Sequence, residues 1–325
     1  MRLPKIYGFL KKDLDIIESA LHESIQATHP VLRKASMELL EAGGKRIRPV
    51  FVLLAGQLRD YDINNIKKVA VSLELIHMAT LVHDDVIDEA ELRRGKPTTK
   101  SLYGNRVAMY TGDYILARAL EEATTIRDAN VHRLLSKTLV EVSIGEIEQI
   151  KDKFVWDQTL RDYLRRIKRK TALLIASSCK LGAIVSGLDE RDTDRLYQYG
   201  YNIGMSYQII DDILDFTSSA KELGKPAGND LLQGNITLPV LYAMENKEFK
   251  QMIEETFIHP DHTDIDENTM KMILSKLKST DAINMSYKVS DLYLDKALRS
   301  LDPLPHSRAK QTLQDIAKYI GKRRS

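Results

Sequence analysis

Three aspartates in the pattern Asp-Asp-x-x-Asp occur twice in this chain, each time near the end of an apolar segment with helical periodicity. The first set lies at 84–88 and the second at 211–215. On a helix, residues three and four positions apart are neighbours, so the carboxylates of each set repel one another. Carboxylates in apolar surroundings are costly without a cation. A solvated acidic surface would explain one such set, but two sets of the same form favour a chemical role.

Carboxylate oxygens suit hard cations such as Mg²⁺, which commonly takes one or two protein carboxylates together with water and substrate phosphates. Basic side chains that could bind phosphate follow both sets of aspartates and form two further groups, at 43–49 and 165–171. Each basic group alone would be an ordinary solvated surface. Together with the aspartates they predict a site for a diphosphate and several Mg²⁺ ions. The chain lacks the GxxxxGK[ST] sequence, so this site is not a P-loop.

Helical periodicity dominates the sequence, and helix breakers are few, with 16 glycines and 9 prolines among 325 residues. Apolar residues recur at helical rather than alternating spacing. The pattern predicts helices at 67–88, 161–187, 197–216, 238–252, 268–277, 285–300 and 307–320. No convincing β-hairpin signal is present. We therefore expect an all-α protein with a single domain over residues 1–325, whose helices surround a common core.

Charge, cysteine content and hydropathy exclude several classes of protein. The net charge of +2 gives no strong field for binding nucleic acid, and the single cysteine, Cys179, rules out an intramolecular disulfide. No apolar run approaches the roughly 18 residues of a transmembrane helix, and charged residues interrupt the first thirty positions where a signal peptide would be apolar. We expect a cytoplasmic protein.

The motifs together resemble the trans-isoprenyl diphosphate synthase, or polyprenyl synthetase, family. Its markers occur in family order along nearly the whole chain: GGKRIRP at 43–49, LELIHMATLVHDDVID at 73–88, ELRRGKPT at 91–98, MYTGDYILARALE at 109–121, GEIEQI at 145–150, KRKTALL at 168–174, YQIIDDILDF at 207–216 and LGKPAGNDLLQGNITLP at 223–239. The resemblance implies the all-α isoprenoid synthase fold around a central catalytic cavity, and one polyprenyl synthetase domain.

The resemblance also implies roles for individual residues. The Mg²⁺ ligands would be Asp84, Asp88 and Asp211, supported by Asp85, Asp212 and Asp215. Isopentenyl diphosphate would be bound by Lys45, Arg48, His77 and Arg94, and the allylic diphosphate by Arg93, Lys170, Thr171, Gln208 and Lys225. The residues expected to act in catalysis are Asp84, Asp88, Arg93, Lys170, Asp211 and Lys225. Many relatives have lysine where this chain has Asn235, which is therefore left out of the site.

Product length is expected to depend on the helix that leads into Asp84. Ala79 and Thr80 lie one turn, about 5.4 Å, before this aspartate, where a growing prenyl tail must pass. Short-chain members of the family commonly block this level with aromatic rings. Here both side chains are small, so the tail can continue past Ile76 and Leu73. A long product, with heptaprenyl (C35) diphosphate as the best estimate, is expected.

The resemblance therefore implies a prenyltransferase that extends an allylic diphosphate, farnesyl diphosphate by preference, with isopentenyl diphosphate. It is greatest to the larger subunits of bacterial two-component enzymes, which implies a heterodimer with a small regulatory subunit, or otherwise a homodimer. The product would serve a menaquinone side chain, and its lipid nature implies peripheral contact with the membrane.

Two alternatives remain at this level. A class I terpene cyclase shares the fold and the first aspartate motif, but usually has an Asn/Ser/Glu-type metal triad in place of the second. A non-catalytic helical subunit should have lost acidic or phosphate-binding residues, and this chain has lost only the lysine at position 235.

Overall fold

The computed structural model describes residues 3–93, 95–218, 226–258 and 265–324, and helices account for most of them. The chain forms two compact units. Unit 1 comprises Met1–Lys137, Leu174–Gly200 and Ser300–Ile316, and unit 2 comprises Thr138–Leu173, Tyr201–Arg299 and Ala317–Ser325. The expectation of a single domain remains a prediction.

Unit 1 contains most of the N-terminal elements. They are α1 (Leu3–Ile6), a 3₁₀ turn (Gly8–Leu10), α2 (Lys11–Ser24), α3 (Pro30–Glu41), α4 (Ile47–Gly56), α5 (Ile63–Ile87), β1 (Leu92–Arg93), β2 (Lys96–Pro97), α6 (Thr99–Thr124), the first part of α7 (Ala129–Asp152), most of α9 (Leu173–Val185) and the first part of α10 (Glu190–Thr217). The strands form an antiparallel ladder that pairs Leu92 with Pro97 and Arg93 with Lys96.

Helix α5 runs through the core of unit 1 because it is apolar on most of its circumference. The Asp62 side chain caps its N-terminus by accepting a hydrogen bond from the Asn64 N–H, which satisfies one of the free donors of the first turn. Small residues let other helices pack closely in this unit. A Cβ added to Gly182 in α9 would lie 2.3 Å from the Val52 carbonyl oxygen of α4, so only glycine fits there.

Unit 2 contains the remaining helices. They are the end of α7, α8 (Leu160–Ile167), a π-helical turn (Lys168–Ala172), the end of α10, α11 (Asn229–Leu232), α12 (Leu238–Ala243), α13 (Lys247–Thr256), α14 (Glu267–Lys278), most of α15 (Ala282–Leu301) and the end of α16 (Arg308–Gly321), a helix that begins in unit 1. The core of unit 2 packs Phe216 of α10 against Val240, Phe249 and Ile273 of the later helices.

Two predicted helices differ from the structure in detail. The segment predicted as a helix at 238–252 is broken after Ala243, because the Asn246 side chain accepts hydrogen bonds from the N–H groups of Glu248 and Phe249 and starts a new helix. The helix predicted at 161–187 is divided by the π turn at Lys168–Ala172. The short ladder at 92–97 was not predicted.

Cys179 of α9 is fully buried, and burial raises the pKa of its thiol. Across the described ranges, no helix has the length and apolar character needed to cross a membrane.

Candidate active site

The first aspartate motif lies at the C-terminal end of α5. Its three carboxylates differ in exposure: Asp85 is only 2% exposed, whereas Asp84 and Asp88 are partly exposed. Asp84 and Asp88 are one turn apart, and the backbone N–H of Asp88 donates to the Asp84 carbonyl in closing the helix. The two carboxylates predicted to bind metal are therefore the two that solvent reaches.

Asp85 is paired with Arg93, the arginine of β1. The guanidinium contacts one carboxylate oxygen twice, with Nε at 2.8 Å and Nη2 at 2.7 Å from Oδ1. Burial raises the pKa of Asp85, and the Arg93 guanidinium opposes this rise only in part. This ion pair ties the strand ladder to the end of α5. Arg93, which the sequence predicts as a ligand of the allylic diphosphate, therefore also supports the motif itself.

A cleft in unit 1 lies beside this motif. Its lining includes His77, Asp85 and Arg93, together with Arg46 and Glu74. The structure thus brings together one residue predicted for isopentenyl diphosphate, His77, and one predicted for the allylic diphosphate, Arg93. Both cationic and acidic groups line the cleft.

In the glycine-rich segment 43–49, residues 43–46 form the turn between α3 and α4, and residues 47–49 begin α4. Gly43 has a positive φ of 75°, and Arg46 takes the left-handed conformation with φ 45° and ψ 37°. Lys45 is exposed and Arg48 is partly buried. The Tyr7 hydroxyl donates to the Lys45 carbonyl oxygen over 3.1 Å, which holds the turn from the N-terminal side.

The four residues predicted to control product length lie on α5 as expected from their spacing. Leu73, Ile76 and Ala79 are buried among apolar neighbours in unit 1. Thr80 is partly buried, and its hydroxyl donates to the His77 carbonyl oxygen over 2.8 Å. The level one turn before Asp84 is therefore lined by small side chains, and the role of these residues in chain length stays a prediction.

The second aspartate motif lies near the C-terminal end of α10 in unit 2. As in the first motif, the leading aspartate, Asp211, is partly exposed and the second, Asp212, is buried, but the last one, Asp215, is buried, whereas Asp88 is partly exposed. Asp215 accepts a hydrogen bond from the backbone N–H of Asp230 over 3.1 Å, which fixes the start of α11. The predicted metal ligand of this motif is again its accessible carboxylate.

Asp212 is enclosed by two hydrogen-bond donors. The Tyr163 hydroxyl of α8 donates to Oδ2 over 2.7 Å, and the Gln208 side-chain amide donates to Oδ1 over 2.8 Å. Desolvation is the largest cause that raises the pKa of Asp212 to about 7, and Asp230 adds to it, while both donors oppose it. Burial and the Asp212 charge raise the pKa of Tyr163 well above its usual value, so the phenol keeps its proton and donates.

The π turn presents the predicted allylic-site residues. The Lys170 ammonium donates to Gln149 Oε1 over 2.9 Å, and the Thr171 hydroxyl donates to Gln208 Oε1 over 2.5 Å. A hydrogen-bonded chain therefore runs from Thr171 through Gln208 to Asp212. π turns inside helices are frequent at functional sites. The structure brings Thr171, Gln208 and Asp212 together, while their roles in binding substrate or metal stay predictions.

Asp211 forms an ion pair with Arg323 of the C-terminal segment, with Nη1 of Arg323 2.8 Å from Oδ1. The same guanidinium lies over the ring of Tyr207, 5.0 Å from its centroid. Burial would lower the pKa of Arg323, but Asp211 and its other neighbours outweigh it, so the pKa is raised. The accessible carboxylate of the second motif is therefore held by a cation of the chain itself.

Sequence reasoning missed Tyr163, Arg93 as the partner of Asp85, and Arg323 as the partner of Asp211. Tyr163 lies eight positions, about two helical turns, before Thr171, and this spacing is the signal that could have pointed to it. Arg94 and Lys225 lie outside the residues that the structure describes.

The carboxylates present fit a metal ion whose ligands come partly from the protein and partly from a bound substrate. Within the described part of the chain, no three His, Cys, Asp or Glu side chains converge into a complete metal site. Mg²⁺ needs no such cage, because it is usually bound by one or two carboxylates together with water and substrate phosphates. Asp84 and Asp88, which are one turn apart and partly exposed, form a donor pair of that kind.

Comparison with known proteins identifies the family. A family model described as Polyprenyl synthetase matches residues 29–275. The chain belongs to this family. It is 59% identical over 324 residues to "Heptaprenyl diphosphate synthase component 2" of Bacillus subtilis (strain 168), a match that covers 100% of this chain and 92% of the relative. The predicted family and the predicted enzyme class, a prenyltransferase, are confirmed.

Solved structures of the family have the same fold. The heptaprenyl diphosphate synthase of Staphylococcus aureus is 43% identical with a TM-score of 0.90, covering 96% of this chain and 98% of the other. A polyprenyl synthase from Caulobacter crescentus CB15, complexed with calcium and isoprenyl diphosphate, is 27% identical with a TM-score of 0.93, covering 100% and 98%. The predicted all-α isoprenoid synthase fold is confirmed.

Proposed function

We propose that this chain elongates farnesyl diphosphate with successive isopentenyl diphosphates to all-trans heptaprenyl (C35) diphosphate, for the side chain of menaquinone. The observation that carries the proposal is the identity of 59%, over the whole chain, with a Bacillus subtilis protein named component 2 of heptaprenyl diphosphate synthase. This chain belongs to the family and contains both aspartate motifs and the basic residues of the predicted site, which supports the proposal.

Isopentenyl diphosphate is assigned to the cleft of unit 1. His77 lines this cleft, as does Arg46; Lys45 precedes Arg46 in the turn, and Arg48 follows it in the first turn of α4. Arg94, outside the described residues, is assigned to the same site on its sequence position. Cationic side chains at this turn would hold the diphosphate through charge-assisted hydrogen bonds.

The allylic diphosphate is assigned to Arg93, Lys170, Thr171 and Gln208, with Lys225 added from its sequence position. The proposed cation is Mg²⁺, several ions per site, with Asp84, Asp88 and Asp211 as ligands and Asp85, Asp212 and Asp215 in support. When bound, Mg²⁺ supplies positive charge to the diphosphate that leaves. Lys170 and Arg93 are each proposed to add fixed positive charge to a diphosphate.

The proposed reaction transfers carbon rather than phosphate. The C–O bond of the allylic diphosphate breaks, and its electron pair leaves with the diphosphate. The double bond of isopentenyl diphosphate attacks the resulting allylic cation, and a proton then leaves for the released diphosphate. The contribution of the chain to this step is an apolar wall, formed by Ala79, Ile76 and Leu73 of α5, that excludes water from the cation.

We also propose that a second, different subunit completes the enzyme, because the Bacillus subtilis relative is named component 2, which implies a partner component. An apolar stripe on α7 supports a surface for this subunit. Val140, Ile144 and Ile147 are 58%, 40% and 63% exposed and share one helix face by their spacing of four and three residues. Contiguous exposed apolar side chains commonly mark protein interfaces.

The proposed function is tested by incubating the chain with Mg²⁺, farnesyl diphosphate and labelled isopentenyl diphosphate, with and without a small heptaprenyl synthase subunit, and resolving the extracted products by length. A C35 product that needs both chains supports the proposal. Cyclic products, or no incorporation of isopentenyl diphosphate with either mixture, would contradict it.

The subunit surface is tested with Ile147→Glu. This variant should abolish the increase in C35 product that the added subunit gives. Leu292→Glu on α15 is the matched control, because Leu292 is 61% exposed but lies on another helix. Equal responses of the two variants would place the subunit elsewhere.

A further inference from the structure

Arg46 is the one residue of the glycine-rich turn that combines a left-handed backbone with a largely enclosed charged side chain. Its φ of 45° and ψ of 37° lie in the region that residues with a Cβ seldom adopt. Glycine would adopt this conformation freely, and the turn already contains Gly43 and Gly44. Arg46 is therefore held in this conformation by what its side chain contacts.

The Arg46 guanidinium donates hydrogen bonds to residues of three helices. Nε and Nη2 contact the two carboxylate oxygens of Glu18 on α2 at 2.8 and 2.7 Å, a bidentate pair that fixes orientation as well as distance. Nη1 lies 3.1 Å from Oε1 of Glu74 on α5, and Nη2 also donates to the Leu40 carbonyl oxygen of α3 over 3.2 Å. One side chain thus fastens the turn to α2, α3 and α5.

The charges around Arg46 argue against its binding a diphosphate directly. Two carboxylates, Glu18 and Glu74, face one guanidinium, so the local sum is negative and would repel an anion. Burial alone would lower the pKa of Arg46, but the two glutamates outweigh it and the pKa is raised. The positive charge of Arg46 is thereby balanced by carboxylates of the protein itself.

The position of this cluster gives it a consequence for the site. Arg46 and Glu74 both line the cleft of unit 1, and Glu74 is one helical turn before His77. Lys45 precedes Arg46 in the turn, and Arg48 lies two residues after it, in the first turn of α4. Because Arg46 is the N-cap of α4, whatever fixes its backbone also fixes where Lys45 leaves the turn and how the first turn of α4, with Arg48, begins.

We propose that Arg46 is a positioning residue of the isopentenyl diphosphate site, and that its ion pairs with Glu18 and Glu74 hold the turn at 43–46 and the start of α4 so that Lys45 and Arg48 face the substrate. This inference rests on the proposed function for the identity of the substrate. It adds Glu18, on a helix that contributes no predicted ligand, to the residues that control substrate affinity.

The test compares Glu18→Gln and Arg46→Lys with the wild type. Glu18→Gln removes one negative charge from the cluster without touching the turn. If Arg46 positions its neighbours, both variants should raise KM for isopentenyl diphosphate about tenfold while kcat and KM for farnesyl diphosphate stay unchanged. If Arg46 binds the diphosphate itself, Glu18→Gln should lower this KM, because it frees the guanidinium, and that result would overturn the proposal. Arg46→Lys keeps the charge opposite the buried Glu74 and so preserves the fold.

Glu23→Gln is the matched control, because Glu23 is exposed on the same helix and its replacement changes the net charge equally. A second readout is independent of activity. Amide hydrogen exchange at Val50, whose N–H donates to the Arg46 carbonyl over 3.0 Å, and at Gly43 should be faster in both variants and unchanged in Glu23→Gln. If the wild type consumes no isopentenyl diphosphate, the proposed function fails. The exchange measurement alone then decides whether the ion pairs of Arg46 hold the turn. Unchanged exchange in Glu18→Gln and Arg46→Lys would refute it.

Discussion

Replacing Tyr163 by phenylalanine removes a single oxygen atom from a fully buried side chain and leaves Asp212 with one donor fewer. The lost hydrogen bond is 2.7 Å long and its acceptor is a carboxylate. Leaving a buried group without its partner costs about 1–3 kcal/mol, with charged groups at the upper end. We therefore expect Tyr163→Phe to lower the free energy of unfolding by about 3 kcal/mol at pH 8.

The cost should depend on pH in a direction that the structure fixes. The tyrosine hydroxyl stabilises the ionised form of Asp212, whose pKa is about 7. Its contribution is therefore present above pH 7 and is lost as the pH falls and the carboxylate becomes protonated. Urea unfolding of Tyr163→Phe and wild type, in EDTA, should show a smaller difference at pH 5.5 than at pH 8.

Tyr199→Phe is a closely matched control. Tyr199 is also fully buried, and its hydroxyl also donates over 2.7 Å, but to the neutral Leu313 carbonyl in unit 1. Its loss should cost about 0.5–1.5 kcal/mol at both pH values. Because Asp212 also binds Gln208, Tyr163→Phe should in addition raise KM for the allylic substrate, and Tyr199→Phe should not. Equal and pH-independent losses in the two variants would refute the reasoning.

Three further predictions concern the aspartates and the chain-length residue. Asp84→Ala and Asp211→Ala should each lower kcat/KM on the order of a hundredfold, with helical content by circular dichroism retained; an active variant would remove that carboxylate from the metal site. With an allylic primer shorter than farnesyl diphosphate, Ala79→Tyr should spare the first condensation and shorten the extracted products to C15–C20, at a cost of about 1–3 kcal/mol of stability from overpacking, and an unchanged C35 product would mean that the tail runs elsewhere. The folded-state pKa of Asp212, about 7 against an ordinary 3.8, means that the folded state binds the extra proton, so stability should fall as the pH rises from 4 to 7. Asp212→Asn should lack this fall, a difference of up to about 4 kcal/mol in unfolding measured without metal, and parallel pH profiles would contradict the raised pKa.

Periodicity predicted the long helices well because their apolar faces are continuous. The helix predicted at 238–252 was wrong in its middle, where Asn246 turns its side chain back on the backbone and caps a new helix. An asparagine in an otherwise apolar pattern is compatible with either outcome, since only tertiary packing decides whether its side chain faces solvent or the backbone. The π turn left no trace in the pattern for the same reason.

The identity of the site residues could be predicted, but their partners could not. Sequence shows that Asp85 and Arg93 are eight positions apart, not that β1 folds back on the end of α5. Contacts such as Asp211 with Arg323 join residues more than a hundred positions apart, and helical spacing carries no information at that range. The predicted diphosphate ligands stay predictions, since the contacts described are those of the chain with itself.

The burial of Cys179 gives the protein a property useful in the laboratory. It is the only cysteine in the sequence, and burial raises the pKa of its thiol, so the thiolate that reacts with labelling reagents is scarce while the protein is folded. A cysteine introduced at an exposed position such as Glu23 could be labelled with a fluorophore or spin probe without first removing the native one. Cys179 also reports on local opening of the structure. The rate at which a thiol reagent modifies it in the native protein measures how often α9 opens.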